Sequence, residues 1–187
     1  MSVTLISLWL PILLGGIFCW VVSALFHMVV KHHDKDYQAL GAEDAVSDAL
    51  RGTAPGLYTL PHCKDMQAMN DEGMQQKFKQ GPVAMVSVMD NGMPPMGKLM
   101  VQQIIYYWVA VLLIAYVAHL SLPMGADYLA VFRQVMATGF LTFGFGLIPF
   151  SIWYGHPWSN TVRYLIDALI YAAVVAGTFA WLWPAAA

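Results

Sequence analysis

The chain has 187 residues, 59% of them hydrophobic and only 11% charged, with a formal net charge of −2. Soluble domains carry roughly 25% charged residues, so this composition excludes an ordinary soluble protein and points to the membrane. The near-neutral balance offers no basic field for nucleic acid, and the two cysteines, Cys19 and Cys63, are too few for a disulfide framework.

Residues 1–30 contain no Asp, Glu, Lys or Arg, and about 20 mostly apolar residues suffice to cross a bilayer. A first span is therefore predicted near 5–29. It lacks a basic n-region and its apolar stretch outruns that of a signal peptide, so it reads as a retained anchor. Three more charge-poor runs predict spans near 100–122, 132–154 and 161–183. The expected fold class is an all-α membrane protein: one membrane domain over residues 1–187, four transmembrane helices, and a soluble loop or cap at 30–99. Gly139, Gly144 and Gly146 in the third span, with Ala168, Ala172 and Ala176 and the pair Ala173 and Gly177 in the fourth, are small residues that let helix backbones approach in lipid. These two spans are expected to pack on each other.

Within the loop, "GAEDAVSDALRG" predicts a short helix, with acids in its first turn and Gly52 beyond its end. "APGLYTLPHC" is held extended or turned by its prolines, and "KDMQAMNDEGMQQKFK" predicts a second amphipathic helix. "VAMVSVM" alternates as a short strand does, before the turn signal "DNG". Of the nine Lys and Arg residues, Lys31, Lys35, Arg51, Lys64, Lys77, Lys79, Lys98 and Arg163 fall on one side of the expected spans and Arg133 on the other. The positive-inside rule then puts the 30–99 loop in the cytoplasm and both termini outside.

Met85, Met89, Met93, Met96 and Met100 crowd the stretch "MVSVMDNGMPPMGKLM". Thioethers select Cu(I), so Met93, Met96 and Met100 with His62 and Cys63 form a copper-site hypothesis. Gly92, Pro94 and Pro95 interrupt any single helical stripe there, and the competing reading is that flexible methionines fill irregular apolar contacts. "VVKHHDKD" adds His32, His33, Asp34 and Asp36 beyond the first span, where a solvated loop is the simpler reading and a composite site of His32, His33, His62 and Cys63 would need tertiary contacts.

Ionisable groups inside a span are expensive and call for partners. Asp167 lies about two turns into the fourth span, and Arg163, four residues earlier, shares its helix face, which predicts an intrahelical ion pair. His27 near the inner end of the first span and His156 in "WYGHPW" belong near the same membrane face. His27, His156, Arg163 and Asp167 are thus the candidate polar ligand cluster. His119 lies near the opposite face, so His27 and His119 cannot hold one haem between them. No catalytic motif is present.

At "IPFSIWYGHPWSNTVRYLIDALIYAAVVAGTFAWLW", residues 148–183, a bulky aromatic, Gly and Pro-Trp precede a last span with a polar residue early and small residues later. This order resembles a family of uncharacterised small four-span bacterial membrane proteins, and "SALFHMVV" at the end of the first span fits the same pattern. The resemblance covers the first span and the last two, while the Met-rich loop departs from it. It implies four helices and a bacterial inner membrane, and it brings no activity. The first expectation for function is an accessory, assembly or scaffold component without catalytic activity or cofactor, its partners the lipid bilayer and other membrane proteins or further copies of itself. The rivals are a transporter or small-ligand binder with an inner-face polar site, and a copper-handling protein.

Overall fold

The computed structural model describes residues 2–186. The Thr4 hydroxyl accepts from the Ser7 N–H at 3.3 Å and starts a 3-10 turn, Leu5–Leu8, that runs into α1 (Trp9–Leu25) and a π turn, Phe26–Val30. There follow α2 (Glu43–Leu50), β1 (Gly56–Leu60), α3 (Glu72–Gln80), β2 (Ala84–Val88), α4 (Met96–Ser121), α5 (Tyr128–Phe143), α6 (Ile148–Trp153) and α7 (Trp158–Trp181). Four stretches among the described residues are long and apolar enough to cross a membrane: Leu5–Val30, Met96–Ser121, Tyr128–Trp153 and Trp158–Trp181. Their ends differ from the predicted ones by a few residues. Helical hydrogen bonding carries α4 back through Gly97 and Lys98, so the edge of an apolar run is not the edge of its helix.

The chain divides into two compact units, residues 1–37 with 95–152 and 156–187, and residues 38–94 with 153–155. In the first, close backbone approach depends on glycine. A Cβ at Gly16 would lie 2.0 Å from Trp108, whose indole N–H donates to the Leu13 carbonyl at 3.2 Å. A Cβ at Gly139 would lie 3.0 Å from that of Ala172, and one at Gly144 2.7 Å from that of Ala168. The expected small-residue packing of the third and fourth spans is thus present at Gly139 and Gly144, with Ala168, Ala172 and Ala176 all buried, but not at Gly146 or Gly177, where a Cβ would meet nothing within 4 Å. Around it Leu8, Val111, Ile114, Val135, Val175 and Phe179 are fully buried.

One end of this unit gathers three parts of the chain. Ser2 bridges to Pro123, the Trp183 indole N–H donates to the Pro123 carbonyl at 2.9 Å, and the Gly125 N–H donates to the Pro184 carbonyl at 2.8 Å. Elsewhere in this unit the exit of the first span meets the first turns of α7.

In the second unit, β1 and β2 pair antiparallel from Gly56 with Val88 to Leu60 with Ala84. The stretch read as turn or extended chain is thus a strand, because the strand predicted at residues 83–89 supplies its ladder. The helix predicted from "KDMQAMNDEGMQQKFK" begins only at Glu72. There the Asp71 carboxylate accepts from the Met74 N–H at 3.0 Å and caps it.

Gly139 and Gly177 make a controlled comparison. A Cβ at Gly177 meets no heavy atom within 4 Å, so Gly177→Ala is expected to leave the detergent melting temperature unchanged or raise it, by about 0.5–1 kcal/mol of relief in helix propensity. Gly139→Leu is expected to lower it by several degrees, because α5 and α7 must separate.

Candidate functional site

The π turn widens the end of the first span, and the Lys31 N–H donates to the Phe26 carbonyl at 2.9 Å to close it. Lys31 itself is left-handed, at φ 53°, the only positive-φ residue other than glycine among the described residues. That reversal, followed by a 3-10 turn at Asp34–Asp36, carries His32, His33 and Asp36 onto the side chains of α7.

His33 lies between two carboxylates. Its Nδ1 is 2.6 Å from Asp36 Oδ2 and its Nε2 is 2.9 Å from Asp167 Oδ2. Ionised carboxylates only accept, so a ring bonded to two of them donates from both nitrogens as an imidazolium. Burial alone would lower the pKa of His33, but the hydrogen bonds to Asp36 and Asp167 outweigh it and hold the pKa above the ordinary histidine value. Burial would likewise raise Asp36. The His33 hydrogen bond and the Arg163 charge reverse this and hold its carboxyl below the usual range. Arg163 Nη1 donates to Asp36 Oδ1, completing a chain of alternating charge from Arg163 through Asp36 and His33 to Asp167. The Asp36 and Asp167 side chains are 1% and 3% exposed.

The chain of bonds is incomplete at its inner end. His32 Nε2 lies 3.0 Å from Asp167 Oδ1, yet these atoms are not aligned for a hydrogen bond, and Oδ1 and both His32 ring nitrogens are buried without one. His27 Nδ1 donates to the Ser23 carbonyl at 2.9 Å, and its ring stacks on His33 with centroids 5.0 Å apart. Tyr164 also stacks on His33, at 4.5 Å. Beside the cluster lies a cavity of about 470 Å³ lined by Ser23, His27, Gln103, Tyr107, Asp167 and Tyr171, among others.

Of the four residues proposed from sequence as a polar cluster, the structure brings together His27, Arg163 and Asp167. His156 is exposed in the turn before α7 and packs on Phe150 with centroids 5.3 Å apart. The expected Arg163–Asp167 pair is replaced: each takes its partner from residues 32–36, because the reversal at Lys31 delivers a carboxylate to Arg163 and an imidazolium to Asp167. His32, His33 and Asp36, read from sequence as solvated loop, are the residues that reading missed. Their signal was the density of ionisable groups in "KHHDKD" directly after an uncharged span.

The residues of the copper hypothesis are divided between the two units. The His62 ring pairs with the Thr59 hydroxyl at 3.2 Å and Cys63 is a half-buried free thiol, both in the second unit. Met93, 92% exposed, ends that unit, while Met96 and Met100 lie exposed on the first turns of α4. The helix break foreseen at Gly92 and the two prolines is present, with Gly92 at φ 118°.

Comparison of the chain with protein-family models, curated proteins and solved structures returned no match. The geometry of the cluster therefore carries the functional argument.

A double-mutant cycle on melting temperature checks the partner exchange. Arg163→Ala alone leaves a buried Asp36 carboxylate short of its cation and is expected to cost about 2 kcal/mol. Combining it with Asp36→Asn recovers part of that loss. The coupling of Arg163 with Asp36 should exceed that of Arg163 with Asp167.

Proposed function

We propose that this chain is a four-span membrane protein that binds a small cationic ligand at the His27, His32, His33 and Asp167 cluster, in the manner of a transporter or membrane receptor. The observation that carries the reading is the Asp167 carboxylate: it is buried in an apolar helix, one oxygen bonded to His33 and the other without a hydrogen bond beside a cavity. Buried polar atoms in native proteins nearly always have partners, and an orphan of this kind marks a place for an ion, a water or a ligand. A purely structural cluster would gain nothing by leaving that oxygen and both His32 nitrogens without a hydrogen bond, the oxygen having only its 3.0 Å ionic contact with His32 Nε2. This ranks ligand binding above the scaffold reading. The aromatic faces of Tyr106, Tyr107, Tyr164 and Tyr171 around the cavity also suit a cation.

The reading is tested by following the melting temperature of detergent-purified protein against divalent metal ions and small organic ammonium ions such as choline and spermidine. At least one cation is expected to raise the melting temperature of the wild type and to leave Asp167→Asn unmoved. A flat response across the whole panel would return the scaffold reading.

The same proposal puts the cluster at the cytoplasmic face of a bacterial inner membrane, with residues 31–98 inside and both termini outside, on the distribution of Lys and Arg. In a background of Cys19→Ala and Cys63→Ser, a cysteine placed at the exposed Ser47 is expected to resist an impermeant thiol reagent in intact cells and to react after lysis. Labelling in intact cells would reverse the orientation.

A further inference from the structure

Resting on the ligand-binding reading, we infer that His27, His33 and Asp167, with His32 as a fourth donor, form a site for a divalent first-row transition-metal ion where the first span meets the membrane surface. One ligand atom from each of His27, His33 and Asp167 lies within 4.8 Å of the other two. Two donors each about 2.1 Å from a metal stand roughly 3–3.4 Å apart in tetrahedral or octahedral sites. The 2.9 Å between His33 Nε2 and Asp167 Oδ2 and the 3.0 Å between His32 Nε2 and Asp167 Oδ1 are close to that spacing. The His27 ring, which stacks on His33, would have to rotate to bring its nitrogen to the same ion.

In His33 and His27 the ring nitrogen that would not bind metal is already engaged, whereas His32 Nδ1 has no hydrogen bond. Metal-binding histidines characteristically donate their other N–H to a carboxylate or a backbone carbonyl, which sets the tautomer and aims the free nitrogen. His33 does this through Nδ1 to Asp36 and His27 through Nδ1 to the Ser23 carbonyl. Each ring therefore offers Nε2. Arg163 in turn holds Asp36, so the supporting layer extends to a third residue. In the metal-free state the His33 Nε2 proton bridges to Asp167. On binding, that proton leaves to solvent and the ion takes its place between the same two groups.

The donor set also selects the ion. Three imidazoles and one carboxylate suit zinc, iron, cobalt or nickel in the divalent state, whereas calcium and magnesium take oxygen ligands and Cu(I) prefers sulfur. No other group of three or more His, Cys, Asp or Glu side chains converges in this way among the described residues.

The experiment strips the detergent-purified protein with a chelator and titrates it with Co²⁺, read by visible absorption, and with Zn²⁺, read by competition and elemental analysis. The wild type is expected to bind one ion per chain, with Co²⁺ bands showing mixed nitrogen and oxygen ligation. His27→Gln and Asp167→Asn should each weaken binding at least about 100-fold. Asp36→Asn, which touches no metal, should weaken it roughly 10–100-fold as a positioning residue and shift the Co²⁺ bands. The triple change of Met93, Met96 and Met100 to Leu should have no effect. Should Asp167→Asn fail to fold, His27→Gln still decides, because it gives up only one bond to a backbone carbonyl and a ring stack. Stoichiometric binding that survives His27→Gln, or no binding by the wild type, overturns the metal site. If metals are inert while an organic ammonium ion still stabilises the wild type and not Asp167→Asn, the ligand-binding reading stands and only the metal assignment falls.

Discussion

A carboxylate carried two turns into an apolar span has to be compensated by something the span does not itself contain. In α7 that carboxylate is Asp167, and its compensation is an imidazolium 134 residues away in the chain. Stranding an ionised group in a low-dielectric interior costs several kcal/mol, so this contact constrains everything near it. The first span cannot simply run out into solvent. It must end in a widened turn, reverse at Lys31 and return His33 to α7. The return buries a second carboxylate, Asp36, which needs a second cation, and Arg163 supplies it from the more exposed end of α7. Two negative and two positive groups then alternate and neutralise each other.

That network can form only if α7 is held at a fixed depth against its neighbours. In lipid no hydrophobic driving force brings helices together, so close van der Waals packing has to. The contacts of Gly139 with Ala172 and of Gly144 with Ala168 lock α5 to α7, and the Trp108 indole lying on the Gly16 backbone locks α4 to α1. Gly144 serves twice: it admits Ala168 and it ends α5, so that the third span continues through a 3-10 turn into α6. The packed rings of Tyr107, Phe143 and Tyr171 form the base of the cavity next to the cluster. Stability of the bundle and geometry of the site thus rest on the same helix contacts. The Asp167 oxygen that lacks a hydrogen bond is where the proposed ligand would enter the arrangement.

The elements were legible because their signals are local. Uncharged runs marked the four apolar stretches, acids before an apolar face marked α2, and alternation marked β2. Asp167 stood out because a charge in such a run has no neutral explanation. The intrahelical partner proposed for it failed for a specific reason: spacing shows which groups share a helix face, but it cannot show that a second segment arrives with better-placed partners. The methionine stretch is a dense local pattern whose side chains are largely exposed.

Residue order alone is enough to establish a chain built for the lipid phase, the approximate limits of its apolar helices, the small-residue seam between the last two, and a buried acid that demands a counter-charge. Each follows from free energies that accrue within a few consecutive residues: transfer from water, helix periodicity and the cost of burying charge. The pairing of His33 with both carboxylates, the reassignment of Arg163 to Asp36 and the convergence of His27 with Asp167 belong to the folded state. They depend on the reversal at Lys31 and on the depth at which helix packing places α7. Contacts spanning more than a hundred residues leave no periodicity along the chain, so only the assembled helices could reveal them.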